Sequence, residues 1–251
     1  MAILKGILPI EGTIGNITFA RTRDGNIVRE KGGVSAQRIA SDPAFRRTRE
    51  NNAEFGRAGR ADRLFNNALR NTEGTRADAR ATSRLIKTLM TALKEDSTHP
   101  RGERTVAAGN LGLLAGFEFN GDGPLHATLQ VASTTNVARS LGELKLDLPA
   151  FRPTTGLRAP EGTTHFRIAA TLVETDFDAG TLVIGTESSA ELPWNDATGA
   201  PLTLAPVVTP GTVLPLFGIL SVFFSQKVGS IYYPLHNGTR NPSAIVVVDT
   251  V

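Results

Sequence analysis

The residues that could carry out acid–base or metal chemistry are few and scattered in this sequence. No two of the four histidines, His99, His126, His165 and His236, lie within four residues of each other, so the chain has no His-x-x-x-His metal pair. The chain has no cysteine, which excludes disulfides, thiolate catalysis and sulfur-ligated zinc. It also lacks the Gly-x-Ser-x-Gly motif of a nucleophile elbow. We therefore predict a non-enzymatic protein without catalytic residues, cofactor or metal.

Two short motifs come closest to a ligand site. Glu174, Asp176 and Asp178 alternate as at the end of a strand and could offer oxygen atoms to calcium, but the glycine and distal glutamate of an EF-hand loop are missing. Gly12 and Gly15 resemble half of a phosphate-binding loop, but neither a helix nor a Lys-Ser/Thr pair follows them. The acidic residues are better explained as an interaction surface.

An arginine-rich helix is the most distinctive feature of the first half of the chain. Ser41-Asp42-Pro43 predicts the start of this helix, because a capping side chain precedes a proline suited to the first turn. Its apolar positions recur at helical spacing, and arginines fill most of the opposite face. The six arginines that we predict to form an interaction surface are Arg46, Arg47, Arg49, Arg57, Arg60 and Arg63.

The charge is divided unevenly along the chain. Residues 1–105 contain 20 Lys and Arg against 12 Asp and Glu, a net charge of +8, whereas residues 106–251 contain 7 against 12, a net charge of −5. Opposite charges favour contact between the two regions, within one molecule or between neighbours. An arginine row also binds phosphates, so nucleic-acid binding is the alternative.

Exposed aromatic residues would indicate a third kind of function. A carbohydrate-binding β-sandwich needs aromatic side chains over a groove, and Trp194, Tyr232 and Tyr233 are the candidates. Trp194 lies between Pro193 and Asn195 in a predicted loop, where binding residues often occur. Aromatic residues make up only 6% of the chain, which makes this function the least favoured of the three.

The elements that would position these residues follow from the hydrophobic pattern. Asp24-Gly25 between two alternating runs predicts a β-hairpin over 14–30. Helices are predicted from Ser41, over 76–96 and over 104–115, where apolar residues recur at three and four. Beyond Gly116, short runs of β-branched residues broken by Pro and Gly predict strands. These strand predictions cover 117–120, 125–131, 142–148, 165–174, 181–185, 213–225, 230–235 and 244–249.

Together these elements predict an α+β fold with three parts. They are an N-terminal β-hairpin arm (1–40), an Arg-rich region forming a small helical bundle (41–115), and an immunoglobulin-like antiparallel β-sandwich (116–251). Alternating leucines at 144, 146 and 148 predict one buried face in that strand.

Several motifs resemble those of a family of uncharacterised proteins from Bacteroidota. Its members share a Gly-x-Ile-Gly-Asn hairpin, found here at 12–16, an arginine-rich helix and a β-rich C-terminal region. The stretches 5–19, 24–33, 42–51, 116–120 and 162–166 carry the likeness. The resemblance implies a bacterial, non-enzymatic protein and no particular site residues.

The sequence therefore predicts a structural protein that forms a homo-oligomeric or filamentous assembly. Basic helices, the acidic β-region and exchange of the N-terminal strand would make the contacts, with the protein itself as partner and nucleic acid as the alternative. The N-terminal stretch lacks the features of a signal peptide, and no apolar run is long enough to span a membrane. We predict synthesis in the cytoplasm and membership of a larger particle or filament.

Overall fold

The chain folds into both helices and antiparallel sheets. The computed structural model describes residues 2–3, 11–22, 25–30, 33–71, 77–195 and 197–250. It is 28% helical and 35% strand, with antiparallel sheets and a curled half-barrel sheet, which confirms the mixed α and β class. The chain divides into two compact units, 1–49 and 50–251. The predicted division into three parts, with boundaries after residues 40 and 115, stays a prediction.

The first unit contains a four-stranded antiparallel sheet in the order β1-β4-β3-β2. The strands are β1 (Ala2–Ile3), β2 (Gly12–Ile14), β3 (Ile17–Thr22) and β4 (Gly25–Glu30). The predicted hairpin is confirmed as the β3–β4 pair, in which Thr22 lies opposite Gly25. Arg23 and Asp24, which connect the two strands, lie outside the described residues.

Short helices follow this sheet and lead into the arginine-rich helix. Helix α1 (Ala36–Ser41) precedes a 3₁₀ turn (Pro43–Phe45) and α2 (Arg46–Asn71), which continues into the second unit. The Asp42 side chain accepts a hydrogen bond of 2.9 Å from the Ala44 N–H, with Pro43 in the first position of the turn. The predicted cap is therefore confirmed, and it starts a 3₁₀ turn that leads directly into α2.

The second unit combines α2 and α3 (Ala81–Lys94) with two antiparallel sheets. The smaller sheet has the order β10-β6-β5, and the larger has the order β12-β11-β7-β8, with β13 also paired to β11 and β9 to β7. The short helices are the 3₁₀ segments Leu111–Leu114 and Leu235–Gly238, α4 (Leu125–Thr128) and α5 (Pro153–Gly156). The strands are β5 (Thr134–Ala138), β6 (Glu143–Leu148), β7 (His165–Asp176), β8 (Thr181–Ser188), β9 (Leu192–Pro193), β10 (Leu202–Leu204), β11 (Leu216–Val228), β12 (Ile231–Pro234) and β13 (Ser243–Asp249).

The central strand β11 divides its side chains between two cores. Phe217 and Ile219 pack with apolar residues of α2 and α3, such as Phe65 and Leu89. The side chains that alternate with them point to the opposite face and share a second core with β6 and β10. Because strand side chains alternate, one sheet can be covered by helices on one face and by a second sheet on the other. The predicted buried row at 144, 146 and 148 is confirmed.

Two local predictions are wrong. The segment 104–115 is not an α-helix, and only Leu111–Leu114 forms a 3₁₀ turn. The Thr105 N–H donates to the Asp96 side chain, and the Asn110 N–H donates to the Ala92 carbonyl. The predicted hairpin between 117–120 and 125–131 is also absent, since Glu118 bridges to Ala244 and Leu125–Thr128 forms a helical turn. In both segments, at least one backbone group bonds to a partner outside the predicted element.

Candidate interaction surfaces

The N-terminal sheet has an apolar face, and its described side chains form no buried core. Ile14 pairs with Ile17, and Phe19 with Val28, so these four side chains lie on one face. Among the described residues of 11–49, none is buried, and Ile14 is 67% exposed. Of this face, Ile14 and Ile17 are exposed, whereas Phe19 and Val28 are half-buried. Covering the exposed isoleucines would stabilise a small sheet, so this unit is suited to association.

Strand β2 forms one edge of this sheet. Gly15 and Asn16 make a two-residue turn, with Gly15 at a φ of 60°, so Ile14 and Ile17 are the hydrogen-bonded pair that closes the hairpin. Thr13 and Thr18 are then the next, non-hydrogen-bonded pair. The backbone N–H and C=O of Thr13 therefore point away from β3 and can accept another strand. The glycines that resembled a phosphate-binding loop belong to this hairpin.

The hairpin of β11 and β12 presents a second open edge. Its turn consists of Gly229 and Ser230, and the four residues of β12 are exposed. Val228 and Ile231 at the tip are 59% and 54% exposed. By the same alternation, the N–H and C=O of Tyr232 point away from β11. No other described strand pairs with β12, so this apolar edge is available.

The neighbouring strand β13 is protected. The segment 116–119 runs along it, with hydrogen bonds of 2.7 Å from the Gly116 N–H to the Ile245 carbonyl and 2.8 Å from the Phe119 N–H to the Ser243 carbonyl. Proteins commonly cover edges in this way to prevent unwanted pairing. On this side of β11, the described residues therefore leave β12 uncovered and cover the first part of β13, residues 243–245.

Most of the six predicted arginines make contacts within the chain. Arg49 donates to the carbonyls of Ile39 and Asp42, at 2.8 and 2.9 Å, and Arg57 donates to the Gly102 carbonyl at 2.7 Å. Arg46 and Arg47 have partners as well. Arg60 and Arg63 are exposed. The basic surface offered to a partner is thus narrower than the sequence suggests.

The three predicted acidic residues lie in different environments. Glu174 is buried and accepts hydrogen bonds from the Thr212 hydroxyl, at 2.8 Å, and the Thr209 N–H, at 3.1 Å. Asp176 accepts from the N–H groups of Asp178 and Ala179, which fixes the β7–β8 turn. The side chain of Asp178 is exposed. Of the three, Asp178 is the one best placed to meet a charged partner.

The aromatic candidates lie at one end of the large sheet. Trp194 packs partly buried against the core between the sheets, and its Nε1 atom has no hydrogen-bond partner among the described residues. Tyr232 contacts the His165 ring, with centroids 5.1 Å apart, and Lys227 lies 5.1 Å from its ring centre. Tyr233 is 50% exposed. Tyr232 and Tyr233 thus belong to the open β12 edge.

The histidines and acidic residues form no metal site in the described part of the chain, where no three potential ligands cluster. His99 Nδ1 lies 2.8 Å from Asp96, and His126 Nδ1 lies 3.0 Å from Glu118. No described helix is both long and apolar enough to cross a membrane.

Buried carboxylates that the sequence did not reveal hold the loops around α2 and α3. Glu54 accepts hydrogen bonds from Arg104 Nε at 2.7 Å and the Gly102 N–H at 2.8 Å. Asp96 accepts from the N–H groups of Thr98, at 2.8 Å, and Thr105, at 2.9 Å. Burial raises the pKa of each carboxyl, but these hydrogen bonds outweigh it, so both pKa values lie below the ordinary value. They support the structure rather than a reaction.

No family model, curated protein or solved structure matches this chain. The resemblance to a Bacteroidota family therefore stays a prediction. The surfaces themselves must indicate the function.

Proposed function

We propose that this chain is a non-enzymatic structural protein that assembles with copies of itself. In the proposed contact, the β2 edge of one copy pairs with the β12 edge of the next. The observation that supports it is the presence of two open, apolar strand edges in two separate units of one chain. The two edges have similar lengths, three residues in β2 and four in β12.

Two different edges that bind each other produce a directional assembly. Each copy would use one edge to bind the copy before it and the other to bind the copy after it. Such a head-to-tail contact closes into a ring or grows as a filament. Pairing would satisfy the outward backbone groups of Thr13 and Tyr232 and cover Ile14 and Ile231. Burying each isoleucine contributes about 1.5–3 kcal/mol, which is enough to make its replacement measurable.

Charge provides a second, weaker contribution. The exposed Arg60 and Arg63 belong to the net-positive half of the chain, and exposed acids such as Asp178 belong to the net-negative half. Attraction between them would favour alignment of neighbouring copies and would be screened by salt. If the protein instead bound nucleic acid, the same arginines would contact its phosphates. The immunoglobulin-like arrangement of the two sheets in the second unit is likewise a proposal, supported by the core that they share.

The first experiment measures the mass of the purified protein by light scattering after size-exclusion chromatography. Ile14→Lys and Ile231→Lys each place a charge on one edge, and Val213→Lys is the control because Val213 is 76% exposed in a loop. We expect large, concentration-dependent species for the unaltered protein and for Val213→Lys. Each edge variant should be monomeric, with contact affinity reduced at least thirtyfold, corresponding to about 2 kcal/mol.

A proline variant separates strand pairing from general hydrophobic attraction. Thr13→Pro removes an N–H that points away from β3, so the internal hairpin keeps its backbone hydrogen bonds and loses only the hydroxyl contact between Thr13 and Thr18. We expect this variant to lose assembly although the apolar surface is unchanged. An unaltered protein that is monomeric at all concentrations and salt levels would refute the proposal, as would retention of assembly in both lysine variants.

A further inference from the structure

A polar cavity of about 640 Å³ lies in the second unit. Three loops line it: 122–128 around α4, 158–161, and 236–240 after β12. The lining residues with titratable side chains are Asp122, Arg158, Glu161, His236 and Arg240. Within the described part of the chain, these side chains form no ion pair with one another.

The wall of this cavity is held in a fixed geometry. Buried Asn120 donates to the carbonyls of Thr239, at 3.0 Å, and Asn241, at 2.8 Å. Arg240 donates to the Asp122 carbonyl at 2.8 Å, which ties the third loop to the first. The Arg158 N–H donates to the Thr128 carbonyl at 2.9 Å, which ties the second loop to the first as well. The backbone of the three loops and the Arg240 side chain are therefore already positioned for a ligand.

His236 has an unusual backbone conformation in this wall. Its φ of 48° makes it the one non-glycine residue with positive φ among the described residues. The Thr239 N–H and hydroxyl both donate to the His236 carbonyl, at 3.1 and 2.9 Å, and hold the residue there. Residues other than glycine rarely adopt a positive φ. Such a backbone conformation persists where the surrounding structure imposes it, and these positions are often found at binding sites.

We propose that this cavity binds a small hydroxylated anion, such as a sugar acid or a sugar phosphate. The guanidinium groups of Arg158 and Arg240 would bind the carboxylate or phosphate, as arginine commonly does. The carboxylates of Asp122 and Glu161 would accept hydrogen bonds from hydroxyl groups. Because these carboxylates repel a bare anion, the ligand must carry donors beside its charge. A neutral sugar lacks the charge, and inorganic phosphate lacks the separate sugar hydroxyl groups.

Isothermal titration calorimetry of the full chain tests this assignment with four probes: glucuronate, glucose 6-phosphate, glucose and inorganic phosphate. We expect at least one of the two charged sugars to bind at least tenfold more tightly than glucose and phosphate. Binding of glucuronate alone identifies a carboxylate ligand, and binding of glucose 6-phosphate alone identifies a phosphate ligand. Absence of binding by both charged sugars, or equal binding of inorganic phosphate, overturns the proposal.

Two arginine variants test the location of the site. Arg158 and Arg152 are both exposed and lie six positions apart, but only Arg158 lines the cavity. We expect Arg158→Gln to weaken binding of the charged sugar tenfold to a hundredfold, as loss of hydrogen bonds to a charged group does. Arg152→Gln should bind unchanged. An equal loss in both variants would show attraction to general surface charge and would overturn the proposed site.

Discussion

Asp78 permits a quantitative test of how the start of α3 is joined to the loop before α4. Its carboxylate accepts two hydrogen bonds from Arg84, at 2.7 and 3.0 Å. It also accepts from the N–H groups of Arg80, at 2.6 Å, and Gly121, at 2.7 Å. The side chain is only 10% exposed. We expect Asp78→Asn to be destabilising, with an effect that depends on pH.

The magnitude follows from the pKa of this carboxyl. Burial acts to raise the pKa of Asp78, but the hydrogen bonds from Arg84, Gly121 and Arg80 lower it from 3.8 to about 2. A difference of about 1.8 pKa units corresponds to about 2.4 kcal/mol. Because the folded pKa is depressed, this stability is complete well above pH 3.8 and disappears as the pH falls through 2. About 1.3 kcal/mol should remain at pH 3.

Urea denaturation followed by the fluorescence of Trp194, the single tryptophan, provides the assay. The difference in free energy of unfolding between the unaltered protein and Asp78→Asn is measured at pH 7 and pH 3. Asp178→Asn is the control, because Asp178 is exposed, and it should change stability by less than about 0.5 kcal/mol. A loss in Asp78→Asn that is equal at both pH values would refute the reasoning.

Three further substitutions test the packing of the second unit. Glu54→Ala should lower the free energy of unfolding by about 3–5 kcal/mol, because it leaves the largely buried Arg104 without its carboxylate. The control Glu103→Ala, at the exposed position next to Arg104, should be nearly neutral. Gly185→Ala should cost about 1–3 kcal/mol, since a Cβ there would overlap the Val207 carbonyl oxygen. Gly59→Ala should instead stabilise α2 by up to about 1 kcal/mol, because a Cβ at Gly59 meets nothing within 4 Å. Urea denaturation at pH 7 measures all of them; a destabilised Gly59→Ala or an unaffected Gly185→Ala would contradict the packing described.

Sequence patterns predicted the elements whose signals are local. The alternation around Leu146 predicted β6, and the capping residue Asp42 predicted the turn that leads into α2. The prediction for the segment 104–115 failed because its leucines recur at helical spacing while the N–H groups of Thr105 and Asn110 bond to Asp96 and Ala92. Such bonds between distant residues leave no local pattern in the sequence.

The interaction surfaces were harder to predict than the elements. Arginine spacing alone could not show that Arg57 is engaged with the Gly102 carbonyl, or that Glu174 is buried beneath the loop at 209–212. The open edge of β12 depends on which strands pair with β11, which is a property of the whole sheet. One local signal was present: Gly229-Ser230 between two apolar runs indicates a two-residue hairpin turn.

Mixing the two edge variants tests the proposed head-to-tail contact most directly. Ile14→Lys keeps an intact β12 edge, and Ile231→Lys keeps an intact β2 edge, so each should be monomeric alone. Together they can form one complete contact and no more. Light scattering of the equimolar mixture should therefore show a dimer of one copy of each variant. A mixture that remains monomeric, or an Ile231→Lys variant that dimerises by itself, would contradict pairing between β2 and β12.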